Sequence, residues 1–374
     1  MSTEAMSRRE RLMAAIRGED VDRLPWSPLL EGYFLGLQVD QLTAFRRIRA
    51  DAMIRNVTNY VGSVPVATSA PPPGKSLPYN LSSQMVGDEA EIAYETPVGT
   101  VTERFLMNEQ SPNIPWVTKN KVQTVEDLKV LRWMYEHAEF ATAPSLFESM
   151  DEQVGDDGIT TISALGTPLF WMLNFDVGVG NFWYLYSDQI DEVEQTLEAA
   201  HQMYLRLFRT VAEGPGEVVI QYENLSSSLC SPAIWEKYSF HHANKYADIL
   251  HDAGKIFLQH NCGHLAAFGT KIGQMHLDGC VDVATPPTGT ITFSSAREMW
   301  GPDKLIMGGI DATHYVGDTP EQMKQHVREL IADMGTGRRM ILGSGDATPK
   351  GTPWENLIAV SEVIEEEAGF PLNS

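Results

Sequence analysis

The chain has 374 residues, 43% of them hydrophobic and 21% charged, with a formal net charge of -22. Those proportions describe a globular protein with an ample core and exclude fibrous and disordered classes. The acidity repels polyanions, which excludes nucleic acid and anionic membrane as main partners and favours a small-molecule substrate or a basic-faced protein.

The opening stretch MSTEAMSRRERLMAAIRGED lacks the apolar core of a signal peptide, and no run approaches the ~18 apolar residues of a membrane span. A cytoplasmic protein is expected. Cys230, Cys262 and Cys280 are too few and too scattered for a disulfide framework, so they read as reduced thiols.

In chain order, RRERLMAAIRG predicts a helix ending at Gly18, and VDRLPWSPLL a first strand leading to a cluster of Glu31, Tyr33 and Phe34. SAPPPGK (69–75) is a proline-rich surface loop. EIAYETPVGTVTERFLM (91–107) alternates around Pro97, Val98 and Gly99 as a β-hairpin does. VEDLKVLRWMYE (125–136) is helical, and LFWMLNFDVGVGNFWYLY (169–186) is helix and core, with Trp171, Phe182 and Trp183 candidates for a pocket mouth. From residue 157 the chain alternates short apolar runs with longer helical patterns. Strands are predicted at 160–165, 217–224, 255–261, 280–286, 304–311 and 339–346. Helices between them open on Ser231-Pro232 and Thr319-Pro320 and close on Gly254 and Gly335. His241 and His242 fall in the first of these and are expected to face solvent.

Six βα-type runs with room for two more point to a TIM-type (β/α)8 barrel over residues 1–374, with an N-terminal helical extension and a β-hairpin insertion. A doubly wound sheet is the alternative, weakened because no G-x-G-x-x-G follows a strand. Parallel barrel strands are packed on both sides, so chemistry collects at their ends. Here the ends carry Glu223 and Asn224, His260 with Cys262 beyond it, Asp311, and Asp346. Asn224, Tyr33 and Trp171 are candidate substrate contacts.

The stretch QHNCGH (259–264) places an imidazole and a thiol on alternate residues, so both point the same way. Zinc accepts thiolate, imidazole and carboxylate, and catalytic zinc takes three protein ligands with one open position. His260 and Cys262 supply two; Asp346, Glu223 and, less favoured, Cys280 are candidates for the third. The blander reading places Cys280 in packing at a strand start, Cys230 beside a helix entrance and Asp311 as a helix cap.

The chain resembles the uroporphyrinogen decarboxylase superfamily, and within it the corrinoid-linked methyltransferase branch. The resemblance runs through SRRERLMAAIRGEDVDRLPW, YENLSSSLCSPAIWEKY, YADILHDAGK, LQHNCGHL, VDVATPPTGT and GSGDATPKGTPWENL. It implies a TIM-type barrel with the site at the C-terminal rim. The decarboxylases carry arginines near the start for substrate carboxylates, whereas LPWSPLLEGYFLG has none. The methyltransferases bind zinc through His-x-Cys and a distant Gly-Cys cysteine. His260 and Cys262 match the first two ligands, and Asp346 stands where the cysteine would be. The resemblance implies a zinc enzyme moving methyl between a small substrate, with a methoxylated aromatic ether favoured (O-demethylation), and a corrinoid on a separate protein. The chain lacks the D-x-H-x-x-G segment that would hold cobalamin. Glu223 or Asp311 would donate a proton to the leaving oxygen. Two rivals are a metal-free lyase or decarboxylase using Asp346 and Glu223 as acid and base, and a non-catalytic barrel that binds a corrinoid or tetrapyrrole. A homodimer is compatible with all of these readings.

Overall fold

The computed structural model describes residues 5–30, 39–108, 111–369 and 372. Eight parallel strands form the barrel: β1 (Trp26–Ser27), β2 (Ala52–Val57), β3 (Gly158–Leu165), β4 (Val218–Tyr222), β5 (Ile256–His260), β6 (Gly279–Val283), β7 (Leu305–Ile310) and β8 (Met340–Ser344). Around the sheet they run β1, β8, β7, β6, β5, β4, β3, β2. This is the expected TIM-type barrel, with helices covering its outer face.

Side chains alternate across each strand. The inward set includes Met53, Ile159, Ile220, Leu258, Leu305 and Ile341, which form one buried cluster. Helix α1 (Arg8–Arg17) plugs the end where the strands begin, adding Leu12, Ala15 and Ile16 to that cluster. It starts at a capping box of Ser7 and Glu10, which satisfies backbone donors at its first turn, and stops at Gly18 with φ 75°. The outward faces meet the surrounding helices in a larger core that includes Ile54, Ile162, Val219, Phe257 and Leu342.

The seam between β1 and β2 is closed by a side chain. Asp51 donates its backbone N–H to Trp26 O at 2.8 Å, and its Oδ2 accepts from Trp26 N at 3.0 Å. The same carboxylate takes Arg11 Nη1 at 2.7 Å and Arg23 Nη1 at 3.0 Å, with Arg11 and Asp51 both fully buried.

β6 carries an irregularity on which the site depends. Its register with β7 shifts between Cys280 and Val283, and Asp282 within it has φ 60°. A bulge of this kind re-aims a side chain. Gly308 lies across from it with φ 146°, and a Cβ there would stand 2.5 Å from Val283 N and O, so only glycine fits.

The six predicted strands all form, with ends within three residues of expectation. β2 (AMIRNV) escaped notice because Arg55 interrupts its apolar pattern. The expected hairpin is the centre of a larger, four-stranded antiparallel sheet of Asn80–Val86, Glu89–Thr96, Gly99–Asn108 and Ser111–Lys119. Its outer strands were hidden: NLSSQMV is almost wholly exposed and does not alternate, and SPNIPWVTK holds two prolines, which suit only an edge. A buried ion cluster ties this sheet to the barrel. Lys121 Nζ lies 2.6 Å from Glu103 Oε2 and 2.9 Å from Asp176 Oδ1, and the Tyr94 and Tyr135 hydroxyls donate to those two carboxylates. His242 departs from expectation. It stacks on His201 with ring centroids 3.7 Å apart, while His241 does face solvent. Among the described residues no helix is long and apolar enough to cross a membrane.

Asp51→Ala would leave two buried guanidinium groups short of their shared carboxylate and open the β1–β2 seam. A loss of about 3–5 kcal/mol in unfolding free energy is expected, read by urea denaturation.

Candidate functional site

A cavity of about 910 Å³ opens at the end of the barrel where the strands finish. Its wall takes Asn56 and Tyr60 from the β2 end, Ser163 from β3, Trp171 and Phe175 from the segment after β3, Tyr222 and Asn224 from β4, His260 and Cys262 from β5, and Asp346 from the β8 loop. Trp171 and Phe175 lie against each other with ring centroids 4.4 Å apart. They flank the join between a short helix (Pro168–Trp171) and a π-helical turn (Met172–Asp176) whose final residue, Asp176, sits in the Lys121 ion cluster.

His260, Cys262 and Asp346 each present a ligand atom within 4.8 Å of the other two. Strand β5 delivers the first, the turn after it the second, and the loop after β8 the third. His260 is buried, Cys262 half-buried and Asp346 exposed, so the cluster grades from the barrel interior to solvent.

The orientation of His260 is set from beneath. Its Nδ1 lies 2.7 Å from Asp282 Oδ2, and Arg55 grips the same carboxylate with both terminal nitrogens, Nη2 at 3.0 Å from Oδ1. Burial alone would raise the pKa of Asp282, but Arg55 and then His260 override it and hold the carboxyl below its usual range. An ionised Asp282 only accepts, so Nδ1 donates its proton to it and Nε2 is the ring nitrogen left toward the cavity, with a lone pair to offer a metal once it is unprotonated. Burial disfavours a charged imidazole at His260, yet the Cys262 sulfur and Asp282 raise its pKa well above the ordinary value. The pocket thus favours one positive charge beside Cys262. A divalent cation would satisfy the same demand and displace the proton.

The other expected site residues fall in different places. Asn224 and Trp171 line the cavity; Asn224, with φ 54°, also accepts from Cys262 Sγ at 3.8 Å. Phe182 is buried in the core, and Trp183 Nε1 donates to Leu229 O at 3.2 Å; neither lines the cavity. Tyr33 and its neighbours Glu31 and Phe34 lie outside the described residues. Glu223 is 1% exposed and is not part of the cavity wall; Thr167 donates to it from N at 2.6 Å and from Oγ1 at 2.7 Å. Asp311 is also off the wall and serves as the cap of the helix Ala312–Gly317, accepting from Thr313 N at 2.8 Å and Thr288 N at 3.0 Å. Burial would raise its pKa, and the hydrogen bonds from Thr288 and Thr313 lower it instead. Cys280 lies within β6, 1% exposed, with Asn261 Nδ2 donating to its sulfur at 3.3 Å, and Cys230 packs in the core. His264 is exposed. Sequence reasoning did not single out Arg55, Asp282, Asn56, Ser163 or Phe175. The one available signal was the pair of lone charges inside otherwise apolar strands, Arg55 in AMIRNV and Asp282 in GCVDV.

Burial drives the pKa of Glu223 up to about 8 from 4.5, so the folded chain holds this carboxyl neutral where the unfolded chain ionises it. The associated stability is fully present below pH 4.5 and is lost as pH rises through about 8. Glu223→Gln should therefore flatten the fall in stability across that interval, a fall with a limiting slope of about 1.4 kcal/mol per pH unit, in urea titrations of both proteins.

Comparison with known proteins places this geometry in a lineage. The sequence profile described as Uroporphyrinogen decarboxylase (URO-D) matches residues 106–367, well over half of the chain. A uroporphyrinogen decarboxylase from Dichelobacter nodosus is 32% identical over 78 residues, a stretch that spans 21% of this chain and 22% of that protein. Among solved structures, a methyltransferase from Methanosarcina mazei superposes with a TM-score of 0.64 over 96% of this chain and 99% of its own, at 15% identity. That likeness is one of fold. With the profile matching well over half of its residues, the chain belongs to the uroporphyrinogen decarboxylase family.

Proposed function

We propose that the chain is a zinc-dependent methyltransferase that moves a methyl group between a methyl ether, a methoxylated aromatic above all, and a corrinoid carried by a separate protein. The observation that carries this reading is the convergence of His260, Cys262 and Asp346 within 4.8 Å at the cavity wall. One imidazole, one thiol and one carboxylate form a donor set that fits zinc and leaves a position open. Zinc bound there would supply a Lewis acid able to take up the charge that develops on an ether oxygen as its methyl group leaves.

The chain's own residues do the rest. Asp282 and Arg55 hold His260 in one tautomer and one orientation. Asp346, a harder ligand than the cysteine it replaces, tunes the site toward an oxygen and away from a thiol. Trp171 and Phe175 offer an aromatic wall for a planar substrate and exclude water from that side. Glu223 and Asp311 are held by hydrogen bonds from Thr167 and Thr288 and stand off the cavity wall. A rival acid–base site built on Glu223 and Asp346 is disfavoured by the absence of Glu223 from the cavity wall.

Protein purified with zinc present should hold about one zinc per chain, and His260→Ala and Cys262→Ala should each lose it. Asp282→Asn should weaken zinc about 10–100-fold, while Asp346→Cys should retain it. Zinc missing from the wild-type protein, or unaltered in both alanine variants, refutes the metal. Methyl transfer is read from cobalt absorbance when the zinc-loaded protein is mixed with cob(I)alamin and a panel of methoxyarenes, methylamines and thioethers. Methylation from the ethers is expected, and silence across the panel refutes the transferase.

A further inference from the structure

Resting on the methyl-transfer reading above, we infer that the substrate is an electrically neutral methoxyarene, one that carries no carboxylate. Every Lys and Arg of the chain falls among the described residues, and none of them lines the cavity. Two cations adjoin the wall in sequence: Arg55, beside Asn56, grips Asp282 with two nitrogens beneath His260, and Lys350, beside Pro349, is exposed on the loop after β8. With a divalent ion on a neutral imidazole, a thiolate and a carboxylate, the charges of the ligand cluster sum to zero.

Among the described residues, the rest of the wall is uncharged. His260 and Asp346 come from β5 and β8, and the longer arc of the barrel between those strands runs through β2 and β3. That arc contributes Asn56, Thr58 and Ser163, with Asn56 held at φ 60° and its N–H donating to Ser163 Oγ at 2.9 Å. Amides and hydroxyls there suit a phenol, an alcohol or a carboxamide on the ring. A carboxylate would surrender its water and meet only dipoles, inside a chain of net charge -22. A polycarboxylate is held by cationic side chains, and this arc presents neutral ones.

The test uses a matched pair, 4-(hydroxymethyl)-2-methoxyphenol and 4-hydroxy-3-methoxybenzoate, which differ in charge at one ring position. Titration calorimetry on the zinc-loaded protein should show the alcohol bound about 10–100-fold more tightly, and kcat/KM for cob(I)alamin methylation should follow the same order. Thr58→Arg, which sets a cation in the neutral wall, should narrow or reverse the ratio in the binding measurement. Benzoate bound as tightly as the alcohol by the wild-type protein, while ethers still methylate cobalt, overturns this inference alone. Absence of binding by both, with no methylation from any ether, overturns it together with the transferase reading.

Discussion

The pairing of Arg55 with Asp282 inside the barrel is the constraint from which the site follows. An aspartate with no exposed surface must find compensating charge or lose its own, and Arg55 provides that charge with two nitrogens on one carboxylate. Because Asp282 then stays ionised, it accepts from His260 Nδ1 and dictates which imidazole nitrogen faces the cavity. The backbone bends to allow this. Asp282 sits in the left-handed region within a bulged strand, a conformation that costs an L residue of order 1–3 kcal/mol and persists only where its surroundings hold it. Glycine at 308 makes room for the bulge from the neighbouring strand.

The same device recurs around the cavity. Asn56 and Asn224, like Asp282, are non-glycine residues at positive φ, and both line the cavity at the ends of barrel strands. Asparagine and aspartate tolerate this region better than other side chains because a short polar group can bond locally. Two further non-glycine residues at positive φ, Arg49 and Arg339, lie at the opposite end of the barrel, just before β2 and β8 begin.

The antiparallel sheet inserted between β2 and β3 is coupled to that rim. Lys121 joins Glu103 of the sheet to Asp176, the last residue of the π-helical turn that carries Phe175. A three-way buried cluster of this kind gains little over an apolar core in stability but fixes one arrangement of its parts. Here it fixes the aromatic wall relative to His260, Cys262 and Asp346 across the mouth.

Much of this was legible in the chain. The alternation of apolar runs and capped helices from residue 157 onward specifies a parallel barrel, since period and turn chemistry are local properties. QHNCGH at a strand end and GSGD at another named the three residues whose side chains converge at the cavity wall, because strand ends of a parallel barrel share one rim. Other features were not legible. Whether Glu223 faced the cavity or the helix layer depended on one residue of register at the end of β4, and its bonds to Thr167 turn it away. Asp311 looked equally like a cap and a site residue until Thr288 and Thr313 were seen to claim its oxygens. Arg55 broke an apolar pattern, so β2 went unmarked, although its charge was the point of the strand. The sequence by itself determined the repeat, the rim and the candidate ligands, which follow from nearest-neighbour rules. Only the tertiary structure decided which polar groups face the cavity and which are consumed in holding it, because a buried charge takes its meaning from a partner that sequence distance does not reveal.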